Sequence, residues 1–370
     1  MSAAAPRRVV VAPDSFKGTA TATDAAGALA RGWRSVAPAD ELVAKPMADG
    51  GEGTLDAFAT AVPDAERVPV TVQGPDDRPT DAAWLRLPDG TAVVELALTS
   101  GITLLDPLRP LDAHTVGFGQ AIAAALDAGA ARLLLAIGGS ASTDGGAGAL
   151  AALGGILLDA QQRPVRLGAR GLGTLAHVDL SGLRALPSGG ALILGDVTNP
   201  LLGPSGAAAV FGPQKGATPA MVEAMEENLA RLARGVPDGE ALAATPGAGA
   251  AGGTGFGLLA WGATMAAGAG AVAEAIGLGE ALAGADLVIT GEGRFDGQSA
   301  AGKVPSEVAA RAAAAGVPVA LVAGAIEADA SGFAASASLT ELAGRGAAAM
   351  AEPLRWLEAA GAALAAAVRA

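Results

Sequence analysis

The chain has 370 residues, a formal net charge of −13, 54 glycines, 3% aromatics, no tyrosine and no cysteine. That length exceeds what one core usually supports and argues for two domains. The acidic balance argues against a nucleic-acid partner, which needs a basic footprint, and the missing cysteines exclude disulfides, thiolate metal sites and a cysteine nucleophile.

The first fifteen residues carry Arg7 and Arg8 but lack the apolar core of a signal peptide, so a cytoplasmic protein is expected. A short β-rich apolar run predicts a strand over 8–13. A helix follows over 23–36, capped by Thr21 or Thr23 and closed by Pro38. Residues 41–47 predict a second strand, and Asp49-Gly50-Gly51-Glu52-Gly53-Thr54 leads into a helix reaching 61. This alternation marks parallel α/β structure.

From Arg67 the pattern changes. Segments 68–72, 83–87 and 91–96 predict hairpin strands joined by turns such as Pro88-Asp89-Gly90. A helix over 116–128, a buried strand over 132–137 and a glycine-rich loop over 138–146 come next, with another helix behind the loop. Residues 191–194 predict a further strand ending at Asp196-Val197-Thr198-Asn199-Pro200. Residues 247–273 are uncharged and long enough to span a bilayer. They are mostly Gly and Ala, however, and predict a Gly-rich loop and a buried helix, with no membrane role. A strand over 285–290 then feeds the loop 291–298, followed by a helix over 304–315, a strand over 318–322 and a closing helix over 353–368.

Five polar, glycine-bearing loops therefore fall at expected strand ends: 14–18, 49–54, 138–146, 196–200 and 291–298. Ligands of open parallel sheets bind there. Each loop carries a carboxylate suited to holding Mg²⁺, accepting a proton or binding hydroxyls, beside exposed backbone amides. For any single Asp a capping or turn role explains the residue as well. Only four of the 24 basic residues are lysines, and three of these, Lys17, Lys215 and Lys303, sit beside glycines. A compact ammonium on a flexible stem suits a phosphoryl group in motion.

Two motif matches fail. Residues 297–303 have phosphate-loop spacing, but Val304 replaces the Mg²⁺-binding hydroxyl. Gly146-Ala147-Gly148 lacks the acidic residue that a dinucleotide site places about 20 positions on. His114 and His177 have no evident partners, although His114 could touch ligand, and the four tryptophans are expected in the cores.

Taken in order, these segments resemble the type I glycerate kinase family. The match runs through Ala12-Pro13-Asp14-Ser15-Phe16-Lys17-Gly18, Ala48-Asp49-Gly50-Gly51-Glu52-Gly53-Thr54, Gly138-Gly139-Ser140-Ala141 and Asp144-Gly145-Gly146-Ala147-Gly148. It continues through Asp196-Val197-Thr198-Asn199-Pro200, Phe211-Gly212-Pro213-Gln214-Lys215-Gly216 and 285–298. Ala113-His114-Thr115-Val116 and Gly195 depart from the family pattern. The resemblance implies an α/β protein of two domains: a discontinuous flavodoxin-like doubly wound domain over 1–68 and 285–370, and an inserted α/β domain over 69–284. The active site is expected in the cleft between them. It also implies phosphorylation of D-glycerate by ATP with Mg²⁺, at the 2-hydroxyl.

Under that reading, Asp196, Asp296 and Lys17 are the expected catalytic groups. Ser15, Asp49, Gly50, Gly51, Ser140, Asp144, Asn199, Lys215, Arg294 and Lys303 are expected to bind substrate or nucleotide, and Glu52 and Glu292 to hold Mg²⁺. Arg294 can equally serve to pair with Asp296 and shape its loop. Alternatives are a 3-phosphoglycerate-forming kinase, a kinase of another small hydroxy acid, or a non-catalytic organic-acid binding module. The oligomeric state stays open between monomer and homodimer.

Overall fold

The computed structural model describes residues 5–16, 18–297 and 303–369. The protein is α/β and divides into two compact units. The first holds residues 1–49, 56–63 and 269–370, and the second holds 50–55 and 64–268.

The first unit is built on a five-stranded sheet in which every neighbouring pair is parallel. Its spatial order is Ala335–Ser338, Val319–Ile326, Leu287–Phe295, Arg8–Pro13, Glu41–Ala44. Numbered within this unit and read from the Glu41–Ala44 edge, that is 2-1-3-4-5, the flavodoxin-like order, whose switch point lies between Arg8–Pro13 and Leu287–Phe295. Val9, Val11, Leu287, Ile289 and Val322 form the sheet's contribution to one core, against Leu29, Trp33, Leu357 and Leu364 of the helices Ala22–Val36 and Pro353–Arg369. Those helices approach closely because each carries glycine at the crossing. A Cβ on Gly32 would lie 1.8 Å from the Glu358 carbonyl oxygen, and one on Gly361 2.2 Å from that of Leu29.

In the second unit the sheet order is Thr264–Ala266, Ala191–Leu194, Arg132–Ala136, Thr91–Glu95, Pro79–Arg86, Glu66–Gln73. The first four strands are parallel, and the last two continue antiparallel as the expected hairpin. Trp84, Phe118, Ile122, Leu135, Ile193 and Trp261 pack its core. Trp33, Trp84 and Trp261 are buried as expected, whereas Trp356 is half-buried and carries Arg355 over its ring.

Four departures from the expected elements matter. The strand expected over 285–290 runs to Phe295, because Glu292, Arg294 and Phe295 keep pairing with Ala323, Ala325 and Ile326 of the neighbouring strand. Most of the loop expected over 291–298 is therefore sheet. The strand expected over 41–47 stops at Ala44. Ala335–Ser338 and Thr264–Ala266 were not expected, being short edge strands with little apolar signal. The uncharged stretch forms the helix Ala250–Trp261, whose first turn is broken by left-handed backbone at residues 251–253. Among the described residues no helix is long and apolar enough to cross a membrane.

Candidate functional site

In the first unit a pocket of about 420 Å³ opens beside the switch point. Its lining combines the polar residues Asp14, Ser15, Asp49, Glu292, Arg294, Asp296 and Lys303 with the apolar residues Phe16, Val304, Leu339, Met350 and Pro353. The fold explains the polar lining. Pro13 is the last paired residue of its strand, opposite Gly291, so Asp14 and Ser15 emerge where the neighbouring strand continues past its end. The Asp14 amide donates to the Gly291 carbonyl at 2.8 Å, and the Ser15 amide donates to Asp14 Oδ1 at 2.7 Å, which turns the chain into the pocket. The Met47 amide donates to the Pro13 carbonyl and brings the segment ahead of Asp49 to the same edge. Glu292 is buried within the strand, and Arg294 pairs with Glu327 at 3.2 Å. Lys303 stands at the N-terminus of the helix Val304–Ala315, where the helix dipole favours anions.

The pocket thus gathers Ser15, Asp49, Glu292, Arg294, Asp296 and Lys303 from the sequence expectations. Lys17 lies outside the described residues, as does 298–302. Asp14 stood in a quoted motif without a role, and its place at a strand end was the signal for one. The apolar lining had no signal in the sequence, since Leu339 and Met350 follow the unexpected edge strand.

The second unit treats its carboxylates differently. Asp144 is fully buried and its two oxygens accept from the amides of Thr115 (3.0 Å), Gly146 (3.1 Å) and Gly148 (3.2 Å) and from the Thr115 hydroxyl at 2.8 Å. These four internal donors fasten Asp144 to its own loop. Glu95, not singled out from the sequence, accepts from the amides of Gly53 (2.9 Å) and Leu55 (2.8 Å) and holds the 50–55 segment. Gly50 accepts from the Gly138 amide at 3.0 Å, so Gly50 and Gly51 sit against the strand end that carries Ser140. Asp196 is exposed and accepts from the Gly268 amide at 2.9 Å. Asn199 donates to the Ser205 carbonyl at 2.7 Å, and Glu52 is exposed.

Lys215 is 2% exposed. Its Nζ donates to Ser140 Oγ at 2.7 Å and to the Ser142 carbonyl. Burial pushes its pKa down to about 7, against a raising influence of Asp144. Lys45, the lysine outside any glycine loop, donates to the carbonyls of Ala61 and Ile276 at the C-terminal ends of the helices Thr54–Ala61 and Gly268–Ala275. His114 is also buried, with Nε2 3.3 Å from Asp77 Oδ1 and Nδ1 accepting from the Val116 amide. His177 lies exposed on the strand Leu175–Asp179.

No cluster of three or more His, Cys, Asp or Glu among the described residues is arranged to cage a metal ion. The pocket carboxylates still fit Mg²⁺, which typically binds one or two carboxylates and completes its shell with phosphate oxygens and water.

An open parallel sheet with a polar pocket at its switch point defines an α/β protein of the small-ligand-binding kind. Residues 9–369 match the glycerate kinase family. The chain is 44% identical over 329 residues to the glycerate kinase of Bacillus subtilis, covering 87% of this chain and 86% of that one. It is 42% identical over 309 residues to the glycerate 2-kinase of Escherichia coli, covering 82% and 81%. A crystal structure of a putative glycerate kinase 2 from Salmonella typhimurium superposes with a TM-score of 0.85 at 38% identity over 99% of both chains. The chain belongs to the glycerate kinase family.

Proposed function

We propose that this protein transfers the γ-phosphoryl group of ATP to the 2-hydroxyl of D-glycerate, giving 2-phosphoglycerate and ADP. The observation that carries the reading is the gathering of Asp14, Asp49, Glu292 and Asp296 with Arg294 and Lys303 in one pocket at the switch point. Family membership and the likeness to a glycerate 2-kinase support the substrate and the position attacked.

Phosphoryl transfer asks a protein mainly for positioning and charge neutralisation. Lys303, with Lys17 and Arg294, would neutralise phosphate or glycerate carboxylate. Asp296 or Asp196 would accept the proton of the attacking hydroxyl, and Ser15, Ser140 and Asn199 would orient ligand. Mg²⁺ would be held by Glu292, with Asp14, Asp49 or Glu52 as further oxygen donors, and when bound it supplies neutralisation of phosphate charge. The net charge of −13 and the absence of cysteine support a cytoplasmic protein without a nucleic-acid partner.

The test is purified protein with D-glycerate and MgATP, coupled to enolase with and without phosphoglycerate mutase. Signal without mutase is expected. Signal only with mutase would leave a kinase but move the product to 3-phosphoglycerate. Silence from folded protein in both arms would move the reading to another hydroxy acid or to a binding role.

A further inference from the structure

We infer that Lys215 is a positioning residue, which braces the loop 138–146 from inside the second unit and sets turnover without touching nucleotide or substrate. The inference rests on the proposed kinase reaction for its functional consequence, but its geometry is independent of that reaction.

The amine is enclosed. Two of its directions are taken by Ser140 Oγ and the Ser142 carbonyl. Another is closed by Gly252, where an added Cβ would lie 2.8 Å from Lys215 Nζ and 2.0 Å from the Ser142 carbonyl oxygen. The Gly252 carbonyl in turn accepts from the Gly145 amide at 3.1 Å, so this backbone is fastened to the same loop. A phosphate group could not enter without displacing main chain. The lysine arrives on the short turn Pro213–Lys215, which explains why an ammonium stem follows a glycine-bearing motif yet serves an internal purpose.

The loop has a reason to need a brace. Ser142 Oγ and Thr143 Oγ1 are buried and have no hydrogen-bond partner among the described residues. Unsatisfied buried hydroxyls favour rearrangement toward water or new partners. Asp144 fastens the C-terminal half of the loop through Thr115, Gly146 and Gly148. Lys215 fastens the N-terminal half, which carries Ser140. Asp144 is the charged group acting on the amine, and Gly252 and the 213–216 turn contribute no other. A neutral amine retains two N–H donors for its two acceptors, which agrees with the displaced pKa of about 7.

The experiment is a double-mutant cycle of Lys215→Met and Ser140→Ala in the full-length protein. Lys215→Met should lower kcat at least about tenfold while KM for MgATP stays within about twofold. The double variant should be no worse than the poorer single variant. The wild-type pH profile of kcat should show an ionisation near 7 that Lys215→Met removes. A matching rise in KM for MgATP and in the Kd of ADP would overturn the inference and make Lys215 a phosphate ligand. Strictly additive losses would overturn it as well. If Lys215→Met does not fold, Ser140→Ala alone should shift the midpoint of that ionisation, and an unmoved midpoint counts against the brace. If wild-type protein does not phosphorylate glycerate, amide hydrogen exchange still decides. Faster exchange over 138–146 in either variant supports the brace, and unchanged exchange removes it.

Discussion

Some acidic residues at strand ends of the two units end in different states. In the first unit Asp14, Asp49, Glu292 and Asp296 line a pocket at the edge of the sheet. In the second, Asp144 and Glu95 are buried and turned onto backbone amides of neighbouring segments. A carboxylate following a parallel strand therefore has two fates. Where a neighbouring strand outruns its partner, as Leu287–Phe295 outruns Arg8–Pro13, space is left beside the acid. Where glycine loops fold back over the strand end, the acid satisfies the amides those loops leave open.

Substitutions can break or sharpen that contrast, because a pocket acid should govern rate and a buried acid should govern stability. The largest effect on rate is expected for Asp296→Asn, which should reduce kcat by about 10²-fold or more with an unchanged melting temperature. A normal rate would remove Asp296 from the chemistry. The largest effect on stability is expected for Asp144→Ala. It strands the Gly146, Gly148 and Thr115 amides at about 1–3 kcal/mol each, read as a fall in the urea midpoint. Lost activity with unaltered urea unfolding would instead place Asp144 against ligand.

A smaller, pH-dependent effect belongs to Lys215. The unfolded lysine holds its proton up to about 10.5, whereas the folded one releases it near 7. The cost of burying the charge is thus fully present below about 7 and is relieved as pH rises toward 10.5. Wild-type stability should therefore gain about 2–3 kcal/mol relative to Lys215→Met between about pH 7 and pH 9. A constant difference would show that the amine does not titrate in that window. Smallest of all, Glu327→Ala should change stability by less than about 1 kcal/mol, because its pair with Arg294 is solvent-exposed. A larger loss, measured by the same urea titration, would mean that Arg294 depends on Glu327 to hold the pocket edge.

Strand and helix alternation, the α/β class and the ordered polar motifs were legible in the residues, because periodicity and turn chemistry are local. Ser15, Asp49, Asp296 and Lys303 could be picked out because each sits within or beside a glycine-bearing break after an apolar run. The reach of Leu287–Phe295 was not legible. Its last residues are polar and glycine-rich, and only pairing with Val319–Ile326 keeps them in the sheet. Nor could spacing tell a pocket lysine from a buried one, since Lys303 and Lys215 both follow glycine-bearing stretches.

By itself, then, the sequence determined the parallel α/β class, the family and the set of polar segments from which a site must be drawn. Tertiary structure alone decided which carboxylates and lysines remain available to a ligand and which are enclosed. The reason is that availability depends on strand lengths, close glycine contacts and amide partners supplied by segments far away in the chain.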